Sequence, residues 1–327
     1  MTSAALPHDP LWPRAGAWPA PSSSPQDAPA DLALIGVPTW RTSLSTTGAH
    51  ATPAAVRDAL RRYSPALITG PGASGADAGP VDLGELAVVD HGDVAEPDGP
   101  EGEARAREAV AAALRGPEAG ARAVVALGGD NALTVPVALG AWGDDLATAG
   151  LVTFDAHYDL RDGVSNGSPV RRLVEAGLDP SRVVQIGIAD FANSAAYARR
   201  ARDLGITVVT LDEVRRRGPG GLADVVREAL DVAGAAGGPV HLDVDVDVCD
   251  RAVAPGCPAS VPGGLAAWEL RALVRAAATD PRVRSVDLAE VDATADAPDG
   301  RTVRLAALCV LEVLAGLALR ARWSATG

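Results

Sequence analysis

Short runs of apolar or alternating residues recur along the chain at 32–35, 86–89, 123–127, 151–154, 183–188, 207–210, 240–246 and 284–288. Each is followed within two residues by a glycine or an acid. Runs this short, rich in Val, Leu and Ile and closed by turn-formers, predict buried strands. Between them, apolar residues fall at helical spacing over 53–63, 101–114, 133–142, 169–177, 194–204, 222–233, 266–278 and 302–321. Strand and helix in turn require crossover connections, so the pattern predicts an α/β fold with a mainly parallel sheet covered on both faces. In such a sheet the site lies beyond the carboxyl ends of the strands. Gly/Pro-rich segments at 70–80, 92–102 and 217–221 are expected as surface loops.

Residues 1–30 do not share this pattern. They are rich in Pro, Ala and Ser, which predicts a flexible N-terminal arm before a single domain spanning 31–327. The chain of 327 residues is 47% hydrophobic and 22% charged, enough to bury a substantial core. Lysine is absent, so all 29 basic residues are arginine, and the net charge is −13. That balance argues against nucleic acid or an anionic membrane as partner. Three cysteines, Cys249, Cys257 and Cys309, make no disulfide framework and point to a reducing, cytoplasmic setting. No apolar run approaches the ~20 residues of a membrane span. The N-terminus lacks the basic-then-apolar order of a signal peptide.

Two of the predicted strands end in acids. Leu151 to Phe154 runs into Asp155-Ala156-His157-Tyr158-Asp159-Leu160-Arg161. On an extended backbone Asp155, His157 and Asp159 share one face. Two carboxylates and an imidazole converging there suit a divalent metal of Mn, Zn or Fe character. The second stretch, His241-Leu242-Asp243-Val244-Asp245-Val246-Asp247, also places an acid at every second position. Acids along one face of a buried strand repel one another and need a cation or a partner. Solvated acids at a strand end are the plainer explanation, but two such clusters after two apolar runs favour the metal.

Further segments fall into line with these. Gly128-Gly129-Asp130-Asn131 follows a strand and opens a helix, Ala254-Pro255-Gly256-Cys257 follows the second acid cluster, and Asp287-Leu288-Ala289-Glu290 ends a late strand. Gly48-Ala49-His50-Ala51-Thr52-Pro53 stands near the start. In this order and spacing, residues 31–320 resemble the ureohydrolase family of arginase, agmatinase, guanidinobutyrase and formimidoylglutamase. The resemblance implies a three-layer α/β/α sandwich around an eight-stranded parallel sheet, and a site with two Mn²⁺ ions. It implies Asp155, His157, Asp159, Asp245 and Asp247 as metal ligands. Activated water then attacks an amidine or guanidine carbon and an amine leaves, with Glu290 meeting the cationic nitrogens and Asp159 sharing the catalytic role. Family members are commonly trimers or hexamers, so a homo-oligomer is implied. Asp243 stands where the family has Ser and is not counted as a ligand.

The departures carry information as well. The family's Gly-Gly-Asp-His supplies a histidine ligand, and this chain has Asn131 in its place. An amide oxygen is a weaker ligand, so one of the two ions is expected to bind loosely. On the loop after the first cluster, Asn166 replaces the His of arginases and agmatinases. The Asp155–Arg161 segment and the Ser165–Pro169 loop look nearer to formimidoylglutamases. Formimidoylglutamate carries two carboxylates, and its site needs arginine or several neutral donors. Arg161, Ser165 and Asn166 are therefore expected at the substrate, with Arg171 and Arg172 as more distant candidates and a plain surface helix as their alternative. The leading expectation is hydrolysis of formimidoylglutamate to glutamate and formamide. Release of urea from a guanidino compound is second. A homologue depleted of metal and catalytically silent is the reading of another class.

Overall fold

Eight strands, β1 (Leu32–Val37), β2 (Val88–Asp93), β3 (Ala123–Gly128), β4 (Gly150–Phe154), β5 (Val183–Ile188), β6 (Thr207–Thr210), β7 (Val240–Asp245) and β8 (Val283–Ala289), form one sheet in the computed structural model. The structure describes residues 9–21, 29–68, 79–115 and 120–326. The strand order is β2-β1-β3-β8-β7-β4-β5-β6, with every pairing parallel. Strands β1, β3, β4, β5 and β7 are buried along their whole length. Cover on both faces is why β1, β3, β4 and β5 read as nearly continuous apolar runs, whereas β7, equally buried, alternates apolar and polar residues. The edge strands differ. β2 was expected at 86–89 but begins at Val88 and continues through Asp90, His91, Gly92 and Asp93, mostly exposed. Polar residues are tolerated on an edge, where they discourage further pairing, and periodicity alone could not place that strand's end.

Nine helices cover the sheet among the described residues: α1 (Thr52–Leu60), α2 (Gly99–Arg115), α3 (Thr134–Trp142), α4 (Pro169–Glu175), α5 (Ala195–Leu204), α6 (Leu211–Arg217), α7 (Leu222–Ala233), α8 (Ala267–Ala278) and α9 (Arg301–Thr326). The pattern missed α6, a two-turn helix started by Thr210, whose side chain accepts from the Glu213 N–H. Seven residues are too few to show a helical period. A two-stranded antiparallel ribbon, Ala66–Leu67 with Val81–Asp82, was also missed. Most of the expected loop at 70–80 lies outside the described residues, as do 1–8 and 22–28 of the N-terminal arm. Within the arm, the Ala15 N–H donates to the Tyr63 carbonyl at 2.9 Å, and the Asp90 N–H to that of Pro19 at 2.8 Å.

On one face of the sheet a single apolar cluster joins the strands to α1, α6, α7, α8 and α9. On the other face the core is split in two. One part gathers β1 and β3 under α2 and α3, the other β4 and β5 under α3, α4 and α5. Between them the central strands β7 and β8 carry polar side chains: His241, Asp243, Asp245, Ser285 and Asp287, all buried. The alternation along the second acid cluster is this stripe. His241 contacts Ser285 Oγ at 2.8 Å through Nδ1 and Asp287 Oδ2 at 3.0 Å through Nε2. Asp243 pairs in register with Asp287. Burial, and then the neighbouring Asp287, push its carboxyl well above the usual range.

Helix α9 corrects one expectation. Its segment Arg301–Arg320 is long and apolar enough to cross a membrane by length and composition, yet 83% of that apolar window is buried inside the protein. It packs against α1 and α8 as a core helix.

Candidate metal centre

Strand β4 ends at Phe154, and the Asp155–Asp159 segment leaves it in bends, not as extended backbone. Asp159 adopts a left-handed φ of 52°. The three first-cluster residues therefore do not share a face by strand alternation. They converge because backbone and side-chain bonds fold the segment. The His157 N–H donates to Asp155 Oδ1 at 2.7 Å, and the Asp159 carbonyl accepts from the Arg171 N–H at the start of α4. In the second cluster, Asp245 ends β7 and Asp247 lies in the 3-10 turn that follows. The Asp247 N–H donates to Asp245 Oδ1 at 2.8 Å.

One ligand atom each from Asp155, His157 and Asp247 lies within 4.8 Å of the others. His157 Nδ1 is 3.0 Å from Asp247 Oδ2 and 3.5 Å from Asp155 Oδ1. His157, Asp159, Asp245, Asp247 and Glu290 line one pocket of about 350 Å³. The buried Asp155 Oδ2 has no hydrogen-bond donor on the protein. A bare buried carboxylate oxygen beside an imidazole nitrogen and further carboxylates is a donor set that suits a divalent ion of manganese type. The residues fit the group.

Glu290, at the end of β8, also has a left-handed φ, 61°. Left-handed backbone at Asp and Glu stores strain that tends to collect at functional sites. Glu290 Oε1 accepts from the Asn131 N–H at 2.8 Å and from Asn166 Nδ2 at 2.7 Å. Asn166 Oδ1 in turn accepts from the Leu44 N–H at 2.9 Å, tying a third loop to the site. Asn131 follows Gly129, where a Cβ would stand 1.8 Å from the Thr39 carbonyl oxygen, so only glycine lets the two loops approach. Asn131 Nδ2 donates to Asp159 Oδ2 at 2.6 Å, while its Oδ1 accepts from Thr134 Oγ1 at 2.7 Å. The amide thus presents its nitrogen to Asp159.

Arg161 lines the pocket, and its chain folds over Gly167. Ser165 is not brought to the pocket. It is buried in its own loop, where Oγ accepts from the Gly167 N–H at 3.3 Å. Arg171 and Arg172 are committed elsewhere. Arg171 donates to the Arg161 and Gly163 carbonyls, and Arg172 forms a two-bond pair with Glu103 at 2.9 and 2.7 Å. Sequence reasoning also passed over two amide side chains that hold the Ala156–Tyr158 backbone, Gln185 and Asn193. For Gln185 a signal existed: it is the one amide in the apolar strand β5.

Electrostatics at the centre are unbalanced without a cation. Burial, then repulsion from Asp247, pushes Asp155 up to about 6. Burial and neighbouring carboxylates push Asp159 and Asp245 well above the ordinary range. Burial, then Asp130 and Asp247, lifts Glu290 to about 8. Burial opposes a charged His157, but Asp247 and Asp155 outweigh it and push the imidazole up to about 12. Burial likewise opposes ionised Asp247, yet His157 lowers it overall.

A pH dependence follows from these directions. Metal-free, the folded protein keeps protons on Asp155, Asp159 and Asp245 that the unfolded chain releases near pH 4. Their stabilising contribution is present below about pH 4, and for Asp155 it is lost as the pH rises through about 6. Asp247 has the opposite sign but stays ionised throughout this window. A bound cation displaces the protons, so its affinity rises with pH. The rise in Tm given by a fixed excess of Mn²⁺ should therefore be larger at pH 8 than at pH 6. Scanning calorimetry at both values checks this, and an equal or larger rise at pH 6 contradicts it.

A parallel α/β/α sheet with an imidazole and buried carboxylates at the carboxyl ends of its central strands defines a hydrolase of the metal-activated class. Residues 30–316 match the arginase family. A formimidoylglutamase of Halobacterium salinarum is 37% identical over 302 residues, covering 90% of this chain and 91% of the relative. The crystal structure of formimidoylglutamase from Bacillus subtilis superposes with a TM-score of 0.83 at 30% identity, covering 98% of this chain and 96% of that one. A Trypanosoma cruzi formiminoglutamase solved with Mn²⁺ gives 0.79 at 25% identity, covering 94% and 99%. The chain belongs to the arginase family, whose members among these relatives are amidine hydrolases.

Proposed function

We propose that the protein hydrolyses N-formimidoylglutamate to glutamate and formamide. The observation that carries this is the charge arrangement of the pocket. It is lined by Asp159, Asp245, Asp247 and Glu290 and also by Arg161, which forms no ion pair with an acid among the described residues. Acids in the lining suit an amidinium head, and a guanidinium without an ion pair suits a carboxylate tail. Formimidoylglutamate has both. Agmatine would bring an ammonium to Arg161 and be repelled. The formimidoylglutamases among the relatives agree with this reading.

Asp155, His157, Asp159, Asp245 and Asp247 are assigned as the residues that would hold manganese. Manganese held there would lower the pKa of water and so would supply a nucleophile at neutral pH. The protein's own groups do the rest. Glu290, oriented by Asn131 and Asn166, accepts the N–H groups of the amidinium and fixes its carbon over the ligand cluster. Water oxygen would add to that carbon, the bond from carbon to the glutamate nitrogen would break, and both protons of the water would pass to that nitrogen as the carbonyl of formamide forms, so that glutamate leaves as its ammonium form. Asp159, held by Asn131 Nδ2, is placed to carry the protons. The buried free thiols of Cys249, Cys257 and Cys309 agree with a cytoplasmic setting. Assay of Mn²⁺-loaded protein against formimidoylglutamate, arginine, agmatine and guanidinobutyrate tests the proposal. Formamide from the first at the highest kcat/KM is the expected result, and preferential release of urea from any of the other three overturns it.

Two ions of unequal affinity are part of this reading, because Asn131 turns its amide nitrogen to the site and withholds a ligand. Activity should keep rising after the first equivalent of Mn²⁺ is bound. Asn131→His should tighten the weaker site by about tenfold or more, since a neutral imidazole binds such ions better than an amide. Titration followed by the EPR signal of free Mn²⁺ reads both sites. Two equally tight sites in the native protein would contradict the assignment.

A further inference from the structure

The segment that carries His157 is not part of the sheet ladder, so something else must fix it. Several of its backbone groups have side-chain partners. The Ala156 N–H points at Asp247 Oδ1 at 3.4 Å, and the His157 N–H at Asp155 Oδ1. The remaining groups are held from outside the ligand set. The Tyr158 N–H donates to Asn193 Oδ1 at 3.0 Å, and Asn193 Nδ2 donates to the Ala156 carbonyl at 2.8 Å. The Tyr158 carbonyl accepts from Gln185 Nε2 at 3.0 Å. One side-chain amide therefore grips the residue before His157 and the residue after it.

The grip belongs to a second loop. Asn193 Nδ2 also donates to the Ala189 carbonyl at 3.2 Å, and the Ala189 N–H donates to the Ala156 carbonyl at 3.0 Å. This closes residues 189–193 into a tight loop, in which Phe191 takes a φ of 64° and is fully exposed. The same loop supplies Ala192 and Asn193 to the pocket wall. A bulky residue in left-handed backbone is held there only if the surroundings over-determine it.

From these contacts we infer that Asn193 is a positioning residue for the metal centre, holding His157 in ligand geometry from the pocket wall, with Gln185 as a lesser support. The inference rests on the manganese reading of the centre. Asparagine suits the task because its amide accepts from one backbone group while donating to two others. An alanine leaves the buried Tyr158 N–H without its acceptor and the His157 segment free to shift. Partners that orient ligands without touching the ion typically set about 10- to 100-fold of metal affinity.

The test compares Mn²⁺ affinity by calorimetry in the full-length native protein, Asn193→Ala, Gln185→Leu and Thr210→Ala. Thr210 caps α6 away from the centre and controls for simple loss of stability. Asn193→Ala should raise the Kd for Mn²⁺ by about 10- to 100-fold and recover much of its kcat at saturating Mn²⁺. Gln185→Leu should give a smaller rise. Thr210→Ala should lower Tm and leave the Kd unchanged. If Asn193→Ala does not fold, Asn193→Ser, which keeps one hydroxyl in place of the amide, takes its place with the same expected direction. Native affinity in the Asn193 variant, with Tm lowered as in Thr210→Ala, overturns the positioning role and leaves the proposed reaction standing. A native protein that binds no Mn²⁺ overturns the metal reading and this inference together.

Discussion

Asp155→Ala should abolish both manganese binding and turnover. Asp155 is 1% exposed, and its two oxygens do different things. Oδ1 accepts from the His157 N–H and stands 3.5 Å from His157 Nδ1, while Oδ2 is buried without a donor. The substitution therefore removes a ligand, loosens a second and deletes a carboxylate oxygen that has no donor on the protein. Metal activation is worth several kcal/mol, and each ~1.4 kcal/mol is tenfold in rate, so kcat/KM should fall by about a thousandfold or more. The metal-free variant should remain folded, because the lost group is one that burial and Asp247 push up to about 6. Metal analysis after gel filtration, together with a thermal melt, reads both parts. Native activity in Asp155→Ala would mean the centre has been assigned to the wrong residues.

Arg161→Ala should raise the KM for formimidoylglutamate while leaving the metal content unchanged. The guanidinium lines the pocket but is exposed, so a carboxylate bound there stays partly hydrated. The loss is accordingly that of charged hydrogen bonds, about 1.5–3 kcal/mol, or about 10- to 150-fold in KM. Arg161→Lys should recover little, since a point charge does not replace a planar fork. Because neither Arg171 nor Arg172 is free to substitute, the effect should not be masked by a neighbour. An unchanged KM would remove the carboxylate clamp and reopen the guanidino-amine reading.

All eight sheet strands were legible in the sequence, β1, β3, β4 and β5 because parallel strands buried on both faces leave nearly unbroken apolar runs, and β7 through its alternation. The reading weakened where that cover ends, at the polar edge strand β2, and where elements are too short for periodicity, at α6 and the two-residue ribbon. The acids were legible as chemistry but not as geometry. Alternation explains the buried stripe of His241, Asp243 and Asp245, which follow one another on β7. It does not explain Asp155, His157 and Asp159, whose placement depends on a left-handed residue, a local bond and bonds from distant loops. Ser165 looked like a substrate contact from its place in the loop, and only the turn it makes with Gly167 and Ser168 shows that it faces inward. Gln185 stood out as the one amide in an apolar strand, but its role and that of Asn193 were not legible, because they act on backbone groups, which leave no trace in side-chain spacing.

The claim on which the rest depends is that the two acid clusters form one manganese centre. Anomalous diffraction from crystals grown with Mn²⁺ tests it most directly. A strong peak bounded by Asp155, His157 and Asp247 is expected, with a weaker one on the side of Asn131 and Asp159. A peak elsewhere in the protein, or none at saturating Mn²⁺, would contradict it.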